Sequence, residues 1–178
     1  MIRLEQLRYP KGRFQRPLSP GQQHIDQWIS QIETLPSRFR QIAEPLNEEQ
    51  LDTPYRPDGW TLRQVIHHVP DSHMNGYIRF KWALTEDKPT IKAYNEVAWA
   101  GLSDYHSLPA KASLQLLEAL HARWVPLLRG LTAADLKRTF IHPEYGKEVS
   151  LDANIALYAW HGDHHLGHLE QTVKLKGW

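Results

Sequence analysis

Between Ile155 and Val173 the apolar stripe of a helix passes through two histidines. Ile155, Tyr158, His161, His165, Leu169 and Val173 recur at three- and four-residue spacing, the period of one helix face. Four of the chain's 11 histidines crowd into Trp160-His161-Gly162-Asp163-His164-His165-Leu166-Gly167-His168. Both His161/His165 and His164/His168 are four apart. On a helix that spacing stacks two imidazoles on one face, close enough to share a metal ion. Spacing alone does not choose between the two pairs.

Three further long helices are predicted upstream. Ser19-Pro20 offers an N-cap with proline at the first helical position, followed by a stripe of Ile25, Trp28, Ile29, Ile32 and Leu35 that resumes at Phe39 beyond Pro36. Thr61 and Gln64 form a capping box before Leu62, Val65, Ile66, Val69, His73, Tyr77, Phe80 and Leu84, a pattern that runs through Pro70 to about Glu86. Leu114, Leu117, Leu120, Trp124, Leu127 and Leu131 mark the third. Residues 87–110 show no regular pattern and read as a crossover joining two helices that run the same way. His142 to Lys147 is turn chemistry suited to a small hairpin, and Ser150 caps the last long helix, which ends at Gly177. The expectation is an all-α chain: a four-helix bundle with a long crossover connection, one domain over residues 1–178 with an irregular N-terminal arm at 1–18.

Several function classes fall away. A net charge of +1 argues against a nucleic-acid partner, and no apolar run is long enough to span a membrane. The N-terminus lacks the apolar segment of a signal peptide, so a soluble, cytoplasmic protein is expected. There is no cysteine, so any metal must be held by His, Asp or Glu.

Two histidines leave a divalent site incomplete, because catalytic zinc takes three protein ligands and keeps one position open. His67, His68 and His73 on the second long helix can supply the third. Periodicity places His73 in the middle of the apolar face and His68 on its flank, close to a tie. Gly162 follows His161 where the zincin motif has glutamate, so a protease with that in-motif base is unsupported. Glu118-Ala119-Leu120-His121 is a single Glu-x-x-His with no second copy, and surface spacing accounts for it. Asp71 and Asp163 are the nearby carboxylates that could orient the imidazoles, and Tyr77, Arg79, Trp99 and Tyr105 are candidates to line a cleft.

The stretch from Asp58 through Trp60-Thr61 and His67-His68 to Lys81 resembles the YfiT group of the DinB-like superfamily. So do the motif from Trp160 to His168, Tyr9-Pro10-Lys11-Gly12 in the arm, and Leu51-Asp52-Thr53-Pro54-Tyr55-Arg56; Val69-Pro70 stands where Leu-Ala is common in that group. The resemblance implies a four-helix bundle holding one divalent ion, zinc or nickel, on three histidines. It assigns His68, eight residues after Trp60, together with His161 and His165. It further implies a homodimer and a metal-dependent hydrolase that activates water on a small-molecule substrate, with no catalytic group assigned beyond the metal-bound water. The alternative implied by the wider superfamily is an S-transferase in which the metal activates a low-molecular-weight thiol of the bacillithiol type.

Overall fold

The computed structural model describes residues 3–17, 19–144 and 146–178. The predicted arm is not wholly irregular, because α1 (Leu4–Arg8) is a short helix with Glu5 in its first turn and Arg8 in its last, where the backbone dipole favours them. Met1, Ile2 and Leu18 of that arm lie outside the described residues. α2 (Gln22–Ala43) starts later than Ser19-Pro20 predicts, with Gly21 as its extended cap, and continues through Pro36 as one helix. α3 (Glu48–Leu51) is capped by Asn47, whose side chain accepts the Gln50 N–H at 2.9 Å. α4 (Leu62–Thr85) opens on the predicted capping box: Thr61 Oγ1 accepts from Gln64 N–H at 3.1 Å, and Gln64 Oε1 accepts from Thr61 N–H at 2.9 Å.

The crossover contains α5 (Glu96–Ala100) and α6 (Asp104–Ser107), each too short to show a helical period in sequence. α7 (Ala110–Arg129) follows. The predicted hairpin is present as β1 (Thr139–His142) and β2 (Lys147–Ser150), antiparallel with Phe140 opposite Val149; Tyr145 in its turn lies outside the described residues. Ile91 N–H donates to Ile141 O at 3.1 Å and Ile141 N–H to Pro89 O at 2.9 Å, which ties the crossover to β1. α8 (Leu151–Lys176) ends at Gly177 with φ 72°, the left-handed cap that glycine adopts without strain.

α2 and α4 each pack on both α7 and α8, so they occupy opposite corners of a four-helix bundle. His67 meets Ser113, His73 meets His121 and Phe80 meets Trp124, so α4 and α7 run in the same direction, as a crossover requires.

The apolar core is divided in two. One cluster holds Ile29, Ile32, Phe80, Trp124, Ile155 and Ala159; the other holds Leu35, Phe39, Val65, Val69, Leu117 and Leu166. On three helices the boundary is marked by histidines: His73 on α4, His121 on α7, and His161 with His165 on α8. A buried Leu or Phe side chain contributes about 1.5–3 kcal/mol, whereas a buried polar group without a partner costs about 1–3 kcal/mol. In this layer His73, His121 and His161 are linked by hydrogen bonds, whereas the Nδ1 atoms of His68 and His165 are buried without a partner among the described residues.

Candidate metal centre

His68, His161 and His165 converge at this boundary, each offering a ring nitrogen, with the three nitrogens all within 4.8 Å of one another. His68 Nε2 stands 3.2 Å from His161 Nε2. Two nitrogens on one tetrahedral zinc stand roughly 3.3 Å apart, given Zn–N distances near 2.0–2.1 Å. Burial keeps all three rings neutral. It lowers His68 to about 4, aided by His164, and holds His161 and His165 well below the ordinary histidine value, with neighbouring imidazoles pushing the same way. A neutral imidazole presents the lone pair that a divalent ion needs, so the donor set fits the ion the sequence implies.

His161 is oriented by a chain of imidazoles. Ile32 lies four residues before Pro36, which has no N–H, so its carbonyl is the one that α2 leaves without a backbone donor. His121 Nδ1 lies 2.7 Å from that oxygen. A carbonyl only accepts, so Nδ1 carries the proton and His121 Nε2 presents a lone pair. His73 Nδ1 donates to it at 2.9 Å, and His161 Nδ1 donates to His73 Nε2 at 3.3 Å. With every ring neutral, the free lone pair emerges on His161 Nε2, facing His68. Ser72 Oγ approaches the same nitrogen at 3.4 Å. Outer hydrogen bonds of this kind fix tautomer and ring orientation in metal sites.

The sequence pointed elsewhere for this support. Asp71 accepts from the Tyr105 hydroxyl at 2.6 Å, and Asp163 accepts from Arg38 at 2.6 Å and Gln31 at 3.2 Å. Both carboxylates are therefore engaged by other donors. His73, close to a tie with His68 on periodicity, is fully buried inside the relay. His121, which surface spacing seemed to explain, is only 2% exposed. Its signal was present, because His121 sits four residues after Leu117 and three before Trp124. Glu118 pairs with Arg40 instead. His67 Nε2 lies 3.3 Å from the Leu108 carbonyl and its Nδ1 2.7 Å from Ser113 Oγ, which ties α4 to the crossover.

His164 and His168 lie beside the centre. With His165 they form a second group of three nitrogens within 4.8 Å, all three carried by α8. His164 stacks on Trp160 at 4.6 Å, and His168 stacks on Tyr55 at 3.9 Å while donating to the Arg8 carbonyl at 3.2 Å. The Tyr9-Pro10-Lys11-Gly12 segment covers this side. Tyr9 lies against His164, Pro10 and Lys11 against Gly167, and the Trp160 indole donates to Gly12 O at 3.2 Å.

On its other side His161 opens into a cavity of about 240 Å³. Ser72, Arg79, Tyr94, Asn154 and Tyr158 line it with Phe140 and Val149, and the exposed Glu96 and Glu144 stand at its edge. Of the four cleft candidates only Arg79 reaches it. Tyr77 packs on Trp124, Tyr105 holds Asp71, and Trp99 touches the lining Tyr94.

The model of the DinB superfamily matches residues 31–169, which span α4, the crossover and both histidine motifs. The chain belongs to the DinB superfamily. A Bacillus cereus protein named as a putative metal-dependent hydrolase is 53% identical over 177 residues, covering 98% of this chain and 100% of its own. A similarly named Oceanobacillus iheyensis protein is 53% identical over 171 residues, covering 96% and 98%. Among solved structures, YfiT from Bacillus subtilis superposes with a TM-score of 0.94 at 44% identity, covering 97% of this chain and 99% of that one; it is described as a probable metal-dependent hydrolase with an unusual four-helix bundle topology. The mycothiol-dependent maleylpyruvate isomerase shares the fold at 15% identity, with a TM-score of 0.65 over 82% of this chain and 60% of its own. In this DinB chain no described helix is long and apolar enough to cross a membrane.

Proposed function

We propose that this chain is a metal-dependent hydrolase of small-molecule substrates, with one divalent ion, zinc or nickel, held by His68, His161 and His165. The observation that carries the reading is the meeting of three neutral imidazoles from α4 and α8 beside a cavity that His161 itself lines. The relatives named for this activity, about half identical over nearly the whole chain, support it. When bound, a divalent ion supplies Lewis acidity and a nucleophile ionised near neutral pH. The protein's own part is to hold His161 in one tautomer through His73 and His121, and to shelter the site beneath the arm and the crossover. The proposal extends to one domain, a homodimer and a cytoplasmic setting, which rest on the resemblance and on composition.

A second reading, transfer to a low-molecular-weight thiol, is favoured by one feature of the cavity. The groups lining the cavity near His161 are hydroxyls, an amide, a guanidinium and the half-buried His142 imidazole, and the carboxylates stand at its exposed edge. A nucleophile that ionises on the metal needs no separate base, and a thiol qualifies as well as water. The mycothiol-dependent protein that shares the fold makes the comparison concrete.

Elemental analysis of untagged protein should find about one divalent ion per chain, with His68→Ala or His161→Ala removing it. Full metal content in both variants would overturn the ligand set. Turnover of an activated ester by the metal-loaded protein in buffer supports hydrolysis. Turnover of an electrophile only when bacillithiol is added replaces that reading with thiol transfer.

A further inference from the structure

We infer that the cavity beside His161 is a carboxylate-binding pocket in which Arg79 and Asn154 clamp a small, singly charged organic acid. As a statement about substrate class this rests on the hydrolase reading; as a binding site it stands without it.

Two buried polar side chains line this cavity with no hydrogen-bond partner among the described residues. Arg79, on α4, is 9% exposed, makes no hydrogen bond or ion pair with any described residue, and has a buried, unpartnered Nε. Asn154, on α8, is 1% exposed, and both its Oδ1 and its Nδ2 lack partners. Buried charges in folded proteins are paired and buried amides are hydrogen-bonded, because burial otherwise costs them their hydration with no return. The other buried arginine, Arg63, 3% exposed, is held by Asp52 at 2.6 Å and Glu48 at 2.5 Å. The exception at Arg79 lies on the cavity that reaches His161.

The chemistry of the two groups selects the ligand. A guanidinium presents a planar fork that matches a carboxylate with two parallel hydrogen bonds. The Asn154 amide adds an N–H donor from its Nδ2. Its Oδ1 accepts, so it favours an acid with an N–H or O–H close to the carboxylate, as in an N-acyl amino acid or a hydroxy acid. Glu96 and Glu144 at the edge oppose a second negative charge, which disfavours phosphate monoesters and dicarboxylates. At about 240 Å³ the cavity is slightly smaller than the roughly 300–1,000 Å³ of ordinary ligand pockets, so the acid is small. Tyr94, Tyr158 and Phe140 supply the walls for its carbon skeleton. With the carboxylate on Arg79, the rest of the molecule extends toward His161, where a scissile bond would be presented.

Calorimetric titration with N-acetylglycine and with its neutral primary amide tests this on metal-loaded protein and again after chelation. The clamp requires the acid to bind at least tenfold more tightly than the amide in both forms. It also requires that preference to disappear in Arg79→Met and in Asn154→Asp, which places a like charge against the ligand. Arg79→Lys keeps the charge without the fork and should retain part of the preference. Should Arg79→Met fail to fold, as judged by thermal melting, Arg79→Lys and Asn154→Asp carry the test. Equal affinity for the two probes, or no binding of either, overturns the proposal. So does a preference that survives in the folded variants and vanishes on chelation, since the carboxylate would then be sitting on the metal. Metal content measured in the same samples reports separately on the histidine site: if His68→Ala keeps full metal while the clamp behaves as stated, the ligand set fails and the pocket stands.

Discussion

His161 Nδ1 donates to His73 Nε2 across 3.3 Å, and that contact joins the candidate metal centre to a backbone carbonyl on α2. The direction of every proton in the chain follows from its far end, where Ile32 can only accept. If this relay orients His161, removing a middle member should weaken metal binding without touching a ligand. His73→Phe and His121→Phe are expected to lower affinity by about 10–100-fold, the usual effect of losing an outer hydrogen bond to a ligating histidine. Competition against a chelating dye measures this, with far-ultraviolet circular dichroism to confirm the fold. Unchanged affinity in both variants would show that the relay is only packing.

Pro36 has an unusual place in this scheme. An interior proline costs a helix about 3 kcal/mol, yet here it frees the Ile32 oxygen for His121. In Pro36→Ala a new N–H would share that oxygen. The expected outcome is opposed changes: a higher melting temperature, and a metal affinity about 2–10-fold lower, less than in His121→Phe because the carbonyl has two lone pairs. A parallel rise or fall of both quantities would contradict this.

Helical periodicity identified all four bundle helices, because each buries a continuous stripe such as Leu62, Val65, Ile66 and Val69. It also brought out the crossover, through the absence of a pattern. Capping chemistry located the start of α4 at Thr61 and the end of α8 at Gly177. It failed at Ser19-Pro20, where the extended residue before the first turn is Gly21. The site was less legible. A helical wheel reports which way a side chain points but not what meets it, so His73, a relay residue, stood level with His68. His121 was passed over because Glu118-x-x-His121 was put down to surface spacing, although Leu117 and Trp124 of the predicted stripe flank it on the buried face. Arg79 was among the cleft candidates, but its place beside Asn154 on one cavity emerges only once α4 and α8 are side by side.

The buried imidazoles also set a pH dependence of stability. Burial lowers His121 from the ordinary 6.5 to about 4, partly offset by its bond to Ile32 O. The unfolded chain therefore takes up a proton near pH 6.5 that the folded chain refuses until about pH 4. Stability is full above 6.5 and is lost as the pH falls from 6.5 toward 4. For this one residue the loss is roughly 3 kcal/mol, or about 6–12 °C in melting temperature for a chain of this size. Thermal melts of metal-free protein between pH 8 and 4 should show the decline, and His121→Phe should flatten part of it. A melting temperature that holds steady down to pH 4.5 would contradict the burial of neutral His121.

Gly162 shows why no glutamate follows His161. A Cβ at this position would meet Leu35 Cδ2 at 2.4 Å and Cδ1 at 3.0 Å, and Leu35 is 1% exposed in the core of α2. The glycine lets α8 approach α2 closely enough to seat His161 in the layer. Gly162→Ala should gain helix propensity of about 1 kcal/mol and still lose about 1–3 kcal/mol net from overpacking. The readout is a melting temperature about 3–10 °C lower. A stabilised variant would mean that Leu35 moves aside at little cost.

The two overlapping histidine groups make a sharper test of the site than a complete alanine scan. His165 belongs to both, so His165→Ala removes metal whichever group holds it and decides nothing. His68 and His161 belong only to the group spanning α4 and α8, and His164 and His168 only to the group confined to α8. The spanning group has its His161 lone pair aimed by the relay and faces the cavity. In the other, His168 is already committed by stacking on Tyr55 and by its bond to Arg8, and His164 lies under Trp160 and Tyr9. Metal content should therefore fall from about one ion per chain to below a tenth in His68→Ala and His161→Ala. It should stay near one in His164→Ala and His168→Ala, with affinity changed by less than about tenfold. The reverse pattern would move the centre toward the arm, away from the cavity, and take the hydrolase reading with it.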